Sequence, residues 1–286
     1  MTDVLIIGGG PAGLSAAVQL AARGRQCVIF TEQAQHNPLY KAKQIDNYRG
    51  MRGMGGARML EQMQREAEQA GARFIYGRVV SVIYGQDSIM ASTASDGEQG
   101  KSLILASGAA QAASLSGEKR LLGRGVSYCA TCDGMLYRGR RAVVCGNAAD
   151  LAQEIAFLQR IGVQVIPLLS PTTANKLGMP QAAVKKPLRI LGDQRVEAVE
   201  ADGKTIPCDA VFILRKTVAP SVLLPQLQMD GAFVRVDRQM KTNLARVYAA
   251  GDCTGHPLQI AKAVGEGLIA GQSAAAYAAE LLRKAK

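Results

Sequence analysis

The apolar run Val4-Leu-Ile-Ile7 leads straight into Gly8-Gly-Gly-Pro-Ala-Gly13, and no other stretch narrows the possible folds so sharply. An unbroken apolar run before a glycine turn reads as a strand buried on both faces. Leu14 to Ala22 then reads as a helix rich in Ala and Leu, ending before Gly24, and Gln26 to Phe30 as a second strand. Glu32 follows about 20 residues after the glycines. Gly8 permits a tight turn, Gly10 lets backbone approach a pyrophosphate, and Gly13 lets helix and strand pack closely. The helix N-terminus, opened by Pro11 and Ala12, offers unpaired N–H groups to phosphates. Glu32 can accept hydrogen bonds from a ribose 2′-OH. The order strand, turn, helix, strand, acid marks Gly8, Gly10, Pro11, Ala12, Gly13 and Glu32 as dinucleotide-binding candidates.

The remaining patterns alternate helix and strand. Glu61 to Gln69 reads as a helix stopped by Gly71, after a loop-like 37–58. Arg73 to Val82 and the segments near Ile89 and Leu103 read as strands, and 113–127 as a connector. A second, weaker βαβ unit follows: strand Arg141 to Cys145, helix Ala149 to Ile161, strand Val163 to Leu169. Residues 196–214 carry strand signals around the turn Asp202-Gly203. Val247 to Ala250 is an apolar strand ending in Gly251-Asp252, and Gln259 to Leu282 is an Ala-rich helix with glycines at 265, 267 and 271.

Length and composition narrow the class. A chain of 286 residues at 48% hydrophobic content builds two cored domains more often than one. The start Met-Thr-Asp has no basic n-region, and Gly8 to Gly10 interrupt the early apolar run, so neither a signal peptide nor a membrane span is expected. Six cysteines in a chain this long do not make a disulfide framework. Cys27, Cys145 and Cys208 sit in apolar surroundings, as buried free thiols do, and a cytoplasmic location is expected. The net charge of +11 fits either a solvated basic surface or an acidic partner. With 5% aromatics and no recognisable module, nucleic acid is not the expected partner.

Cys129-Ala-Thr-Cys132-Asp133-Gly134 carries the chemistry. Two cysteines at this spacing can close a small disulfide ring, and the acid beside them can move a proton. A zinc half-site would need further ligands, but His36 and His256 lie far apart and Cys253 stands alone, so no metal is expected. A purely structural disulfide, and a turn-capping role for Asp252, are the bland alternatives.

Taken in order, Gly8-Gly-Gly-Pro-Ala-Gly13, Cys129-Ala-Thr-Cys132-Asp133-Gly134 and Ala249-Ala-Gly251-Asp252 resemble the low-molecular-weight thioredoxin reductases. Arg124-Gly-Val-Ser-Tyr-Cys129, Ile45-Asp-Asn47-Tyr-Arg-Gly50 and Leu105-Ala-Ser-Gly108 extend the resemblance over the whole chain. It implies an α/β fold with two Rossmann-like nucleotide-binding domains of the FAD/NAD(P) type. The FAD domain would be discontinuous, 1–112 and 218–286, and the central domain, 113–217, would carry Cys-x-x-Cys. It also implies a homodimer. Cys132 would face the flavin, Cys129 would attack a partner disulfide such as that of thioredoxin, and Asp133 would act as acid and base. Asp252, after Gly251, would hydrogen-bond the ribityl chain. Gln259 and Ile260 would touch the isoalloxazine ring, Asn47 would line its pocket, and Gly108 would mark the strand end returning to the flavin domain.

The central domain departs from the family. Where a second Gly-x-Gly-x-x-Ala should hold NADPH stands Val144-Cys-Gly-Asn-Ala-Ala-Asp-Leu151, which retains only Gly146. Ala148 and Ala149 would crowd the pyrophosphate, and Asp150 would repel it. Pro167-Leu-Leu-Ser-Pro171 offers no basic cluster for a 2′-phosphate, and Phe212-Ile-Leu-Arg-Lys-Thr217 lacks the family's returning glycine. NADPH is therefore not expected, and the second domain reads as degenerate. Two donors can replace it: ferredoxin, an acidic iron–sulfur protein, or a second FAD in the vacated site, making one or two FAD per chain. Residues 113–217 hold 15 Lys and Arg against 9 Asp and Glu. Among them Arg138, Arg140, Arg141, Lys185 and Lys186 could receive an acidic protein or the phosphates of a second dinucleotide. The favoured expectation is a flavin-dependent disulfide oxidoreductase fed by ferredoxin. A diflavin enzyme stands second, ahead of an ordinary NADPH-dependent reductase or a flavin-binding sensor that turns over no disulfide.

Overall fold

The computed structural model of the chain describes residues 1–109, 115–148, 150–215 and 218–284. The chain separates into two compact units, Met1–Gln111 with Ala219–Lys286, and Ala112–Val218. The expected junctions at 112–113 and 217–218 fall at or beside 110–114 and 216–217, outside the described residues.

The first unit opens with β1 (Thr2–Ile7), α1 (Pro11–Ala21) and β2 (Cys27–Thr31). Then come α2 (Gly56–Gln69), β3 (Arg73–Tyr76), β4 (Ser81–Tyr84), β5 (Ile89–Ser92) and β6 (Gly97–Leu105). The central unit contains α3 (Glu118–Leu121), β7 (Val126–Ser127), α4 (Ala130–Asp133), β8 (Arg141–Gly146), α5 (Leu151–Arg160), β9 (Gln164–Pro167) and α6 (Pro171–Lys176). It ends with β10 (Arg189–Leu191), β11 (Ala198–Ala201), β12 (Lys204–Pro207) and β13 (Ala210–Leu214). The chain then completes the first unit with α7 (Pro220–Leu223), β14 (Met229–Asp230), β15 (Phe233–Val234), β16 (Val247–Ala249) and α8 (Ile260–Lys284).

In the first unit the sheet order is β3-β2-β1-β6-β5-β4, with β16 also on β6. β3, β2, β1, β6 and β16 run parallel, while β5 and β4 form an antiparallel hairpin on the outer half of β6. β1 is buried at five of its six positions instead of alternating, as a strand inside a covered parallel sheet is, with Val4 and Ile6 in one core cluster with residues of α1 and α8. The sheet of the central unit is parallel in the order β7-β13-β8-β9, and β10-β11-β12 is a separate antiparallel sheet. Both units are thus α/β with Rossmann-like parallel sheets, the fold class that the motifs imply.

Several elements differ from the expected bounds for physical reasons. The helix α2 begins at Gly56 rather than Glu61, and its first residue packs on a loop: the Gly56 N–H donates to the Ala42 carbonyl at 2.8 Å, and a Cβ there would lie 1.8 Å from the Leu39 carbonyl oxygen. That contact with a distant loop leaves no mark in the periodicity. The strand expected over 73–82 breaks in two after Gly77, whose φ is +148°. The connector 113–127 holds α3 and β7. The helix expected over 149–161 is Leu151–Arg160, with Ala149 outside the described residues, and the strand expected over 163–169 is Gln164–Pro167.

The two ends of the chain meet through α1 and α8. Ser15 Oγ donates to the Val264 carbonyl at 2.8 Å. The helices approach at glycine: a Cβ on Gly267 would stand 2.1 Å from the Ala12 carbonyl oxygen, while Gly265 faces open space. Gly267→Ala is therefore expected to destabilise the protein by about 1–3 kcal/mol through overpacking. Gly265→Ala, on the same helix, should stabilise it by about 0.5–1 kcal/mol. Urea midpoints at constant m-value read both signs.

Candidate active site

The first glycine loop is built around two near-contacts. Gly8 has φ +118°, and a Cβ there would lie 2.1 Å from the Ala106 carbonyl oxygen. A Cβ on Gly13 would lie 1.9 Å from the Gly8 carbonyl oxygen, so the first turn of α1 closes directly onto the loop. Gly10 is the N-cap of α1 and Pro11 its first residue, where a missing N–H is harmless. The N–H groups of Gly9 and Gly10 meet no acceptor among the described residues. They remain available to an anion at the positive end of the helix.

Around this loop the structure gathers residues far apart in the chain. Glu32 follows β2, with His36 Nδ1 at 3.6 Å. Gly251 has φ +84°, and its Cβ position lies 2.8 Å from Ala12 Cβ, so the turn after β16 sits against the start of α1. That turn presents Asp252, whose carboxylate makes no hydrogen bond among the described residues. Burial pushes the Asp252 carboxyl above its ordinary value; Lys262 and His256 oppose this and Glu266 adds to it. Asn47 Nδ2 donates to Gln259 Oε1 at 2.7 Å, joining the 45–50 loop to the start of α8, whose first residue is Ile260. Gly108, with φ +73°, has no neighbouring atom within 4 Å of its Cβ position. Open N–H groups, an acid after β2 and an unpaired carboxylate at Asp252 fit a bound FAD.

Sequence reading missed the brace under Asp252. Lys262 Nζ donates to the Gly251 carbonyl at 2.9 Å, to Thr254 Oγ1 at 2.9 Å and to Glu266 Oε2 at 3.1 Å. Glu266 Oε2 in turn accepts the Gly251 N–H at 2.8 Å. The i, i+4 spacing of Lys262 and Glu266 was the only signal in the chain for this clamp.

In the central unit Cys129 and Cys132 form a disulfide with Cα atoms 5.3 Å apart. Cys129 is the N-cap of α4; its Sγ accepts the Cys132 N–H at 3.1 Å and lies 3.4 Å from Thr131 Oγ1. These donors stabilise negative charge on that sulfur. Cys129 is 5% exposed, while Cys132 lies at the surface. Asp133 is tied to the pair by Ser127, whose Oγ donates to Asp133 Oδ2 at 2.7 Å. Gly134 packs flat on α5, where a Cβ would come within 2.8 Å of Leu158 Cδ2. Met135 and Leu136 follow, 57% and 70% exposed, an apolar surface beside the disulfide that the motif did not announce.

The other four cysteines are buried. Burial pushes the thiols of Cys27, Cys145 and Cys253 up to about 12 and that of Cys208 up to about 11. Thiolate chemistry is thereby confined to Cys129 and Cys132. Reduced native protein at neutral pH is expected to take up two equivalents of iodoacetamide quickly, and the remainder only after denaturation. Fast uptake of more than two by native protein would contradict this. Among the described residues no cluster of three metal-ligating side chains occurs, and no helix is long and apolar enough to cross a membrane.

The second glycine loop is closed from within. Gly146 has φ +131°, with its Cβ position 2.0 Å from the Leu214 carbonyl oxygen, as Gly8 stands to Ala106. Here, however, the N–H groups of Asn147 and Ala148 both donate to the Leu214 carbonyl at 2.9 Å. Leu151 occupies the place of Gly13, and α5 begins only there. Asp150 stands at the N-cap position without a side-chain capping bond, its buried Oδ1 finds no hydrogen-bond partner, and buried Glu154 lies in the first turn of α5. After β9, Leu168 and Leu169 are buried and Ser170 Oγ caps α6 by accepting the Thr173 N–H at 3.3 Å. Arg215, in the altered return strand, is drawn inward. Its guanidinium makes a bidentate pair with Glu118 at 2.6 and 2.8 Å. Burial opposes charge on Glu118, but Arg215, the Leu115 N–H and the Tyr128 hydroxyl together hold its carboxyl below the usual range. Lys216 and Thr217 lie outside the described residues. Arg138, Arg140 and Arg141 are exposed at the amino edge of β8, and Lys185 and Lys186 are exposed on a loop whose backbone N–H groups Asp202 accepts.

Comparison with known proteins agrees with this geometry. Residues 2–267 match the family model for pyridine nucleotide-disulphide oxidoreductases. The thioredoxin reductase of Listeria monocytogenes is 29% identical, covering 98% of this chain and 94% of its own. A ferredoxin-flavin thioredoxin reductase from Clostridium acetobutylicum superposes with a TM-score of 0.86 at 34% identity, covering 98% of both chains. A thioredoxin reductase from Gloeobacter violaceus gives 0.76 at 31% identity, over 96% of this chain and 93% of that one. Flavin-type glycine loop, dithiol motif and match along the chain agree that this chain belongs to the pyridine nucleotide-disulphide oxidoreductase family, as a thioredoxin reductase-like flavin disulfide oxidoreductase.

Proposed function

We propose that the chain passes electrons through FAD and the Cys129–Cys132 pair to a protein disulfide of the thioredoxin kind, without NADPH, and that ferredoxin is the donor. In this reading 1–112 with 218–286 is the FAD domain and 113–217 the dithiol domain. Bound FAD would bridge one-electron supply and two-electron disulfide chemistry. The chain's own residues would hold it: Gly8, Gly10, Pro11, Ala12 and Gly13 at the pyrophosphate, Glu32 at a ribose, Gly251 and Asp252 at the ribityl chain, and Asn47, Gly108, Gln259 and Ile260 around the ring. In exchange, the reduced pair gives two electrons and two protons to the partner disulfide and closes its own. Asp133 takes the proton of the attacking thiol and returns it to the departing sulfur. Met135 and Leu136 supply an apolar rim for a protein partner.

The observation that carries the donor reading is the capture of the Asn147 and Ala148 N–H groups by the Leu214 carbonyl. A dinucleotide needs such groups for its pyrophosphate, and acidic residues, Asp150 at the N-cap and Glu154 in the first turn of α5, replace the uncharged helix start that phosphate favours. The same closure speaks against a second FAD. Similarity to a ferredoxin-flavin thioredoxin reductase and the basic excess of the central unit favour a small acidic protein donor. The deciding experiment counts flavins and mixes the anaerobic protein with reduced ferredoxin. One FAD per chain and bleaching by ferredoxin support the reading; two FAD per chain would turn it to a diflavin enzyme. A cytoplasmic homodimer belongs to the same reading, and sedimentation equilibrium tests the dimer.

A further inference from the structure

Ser127 lies in the approach to the cysteines, and the motif assigns its side chain no role. It ends β7, pairs in register with Phe212 of β13, and is 4% exposed. Its hydroxyl has one proton to give. The Asp133 Oδ2 acceptor stands at 2.7 Å and the Cys129 carbonyl at 3.1 Å. The shorter, charge-assisted bond takes the proton. The same oxygen accepts the Cys129 N–H at 3.1 Å. One hydroxyl therefore joins the backbone that sets the Cys129 sulfur to the carboxylate that serves it. Bonds in such a chain polarise and strengthen one another.

Ser127 is itself held through its chain neighbour. Tyr128, the bend residue that follows β7, donates to Glu118 Oε1 at 2.9 Å. Glu118 is 1% exposed and locked bidentately to Arg215. The end of β7 is thus anchored, through Tyr128, by the Glu118–Arg215 ion pair while Ser127 presents a fixed hydroxyl.

We propose that Ser127 is a positioning residue for disulfide exchange: it aims Asp133 at the Cys129–Cys132 pair, so that proton transfer occurs without a search for geometry. Ser127 touches no partner atom and acts only through Asp133 and the Cys129 amide. The proton it donates stays on its own oxygen, so its presence leaves the balance of the exchange unchanged.

This inference rests on the reading of Cys129 and Cys132 as the exchanging pair. The test reduces the holoprotein with dithionite, removes excess reductant, and follows exchange with the small disulfide 5,5′-dithiobis(2-nitrobenzoic acid) in a stopped-flow instrument. Ser127→Ala is expected to lower the maximal rate by about 10- to 100-fold, the range that a hydroxyl's bond to a charged group is worth. The probe concentration at half-maximal rate should stay unchanged. Ser127→Thr, which restores the hydroxyl and suits a strand, should recover most of the rate. In an Asp133→Asn background, Ser127→Ala should slow exchange by less than about 2-fold, the coupling expected when one residue acts through the other. Tyr128→Phe should change the rate far less than Ser127→Ala, although it disturbs the buried ion pair. A Ser127→Ala protein at the wild-type rate, or losses that multiply in the double variant, would overturn the proposal. Wild-type protein that fails to exchange at all would overturn the dithiol reading instead, which keeps the two failures apart.

Discussion

Reduced Cys132→Ser protein mixed with oxidised thioredoxin is expected to stall as a covalent adduct through Cys129, and Cys129→Ser protein to form none. Turnover should vanish in both, and FAD absorbance should remain in both, because the proposed flavin site lies in the other unit. Two effects compete in this assignment. Exposure favours attack by Cys132, since Cys129 is 5% exposed in the disulfide state. Charge favours Cys129, whose sulfur accepts the Cys132 N–H and neighbours the Thr131 hydroxyl. The attacking species is the thiolate, and burial is relieved by modest movement once the disulfide opens, so stabilised charge should win. Mass spectrometry of the trapped adduct decides: a stable adduct on Cys129→Ser alone would reverse the roles. Asp133→Asn should slow exchange by about 10²–10⁴-fold, the usual loss for a general acid–base group.

NADPH added in excess to the anaerobic protein is expected to leave the flavin absorbance unchanged, whereas reduced ferredoxin bleaches it. The contrast should be large, because the nucleotide site lacks more than one contact. Its loop N–H groups are occupied by the Leu214 carbonyl, its helix starts late at Leu151, and Asp150 stands at the N-cap with Glu154 in the first turn. Opening it would break two backbone hydrogen bonds and set phosphate beside carboxylates. The rate with ferredoxin should fall as salt rises, since exposed charges are screened beyond a Debye length of about 10 Å at 0.1 M. Bleaching by stoichiometric NADPH within the mixing time would refute the donor argument. A ferredoxin rate independent of salt would remove the basic surface from it.

How much of this protein its sequence determined is clearest where backbone sterics act locally. Gly8, just after β1, and Gly146, the last residue of β8, both have positive φ with a carbonyl where a Cβ would stand, so glycine there is nearly obligatory and readable as a letter. The buried strands β1, β8 and β13 were legible for the same kind of reason: apolar runs bounded by turn residues have few other uses. Cys-x-x-Cys-Asp was legible because ring closure requires short spacing, and the loss of the second glycine pattern was visible in the letters too. Tertiary structure alone decided the rest, because each remaining feature is a meeting of distant segments. No periodicity could show that Leu214 supplies the oxygen that closes the 146–148 loop, or that Glu118 and Arg215 pair across the central unit. Asn47 reaches Gln259, and Gly251 reaches Ala12, only after β6 has taken β1 on one edge and β16 on the other. The first turn of α2 escaped the sequence for the same reason, since Gly56 is fitted to the distant Leu39 and Ala42 carbonyls. Local conformational limits are written residue by residue, whereas a hydrogen bond across the fold depends on where two separately determined elements come to rest.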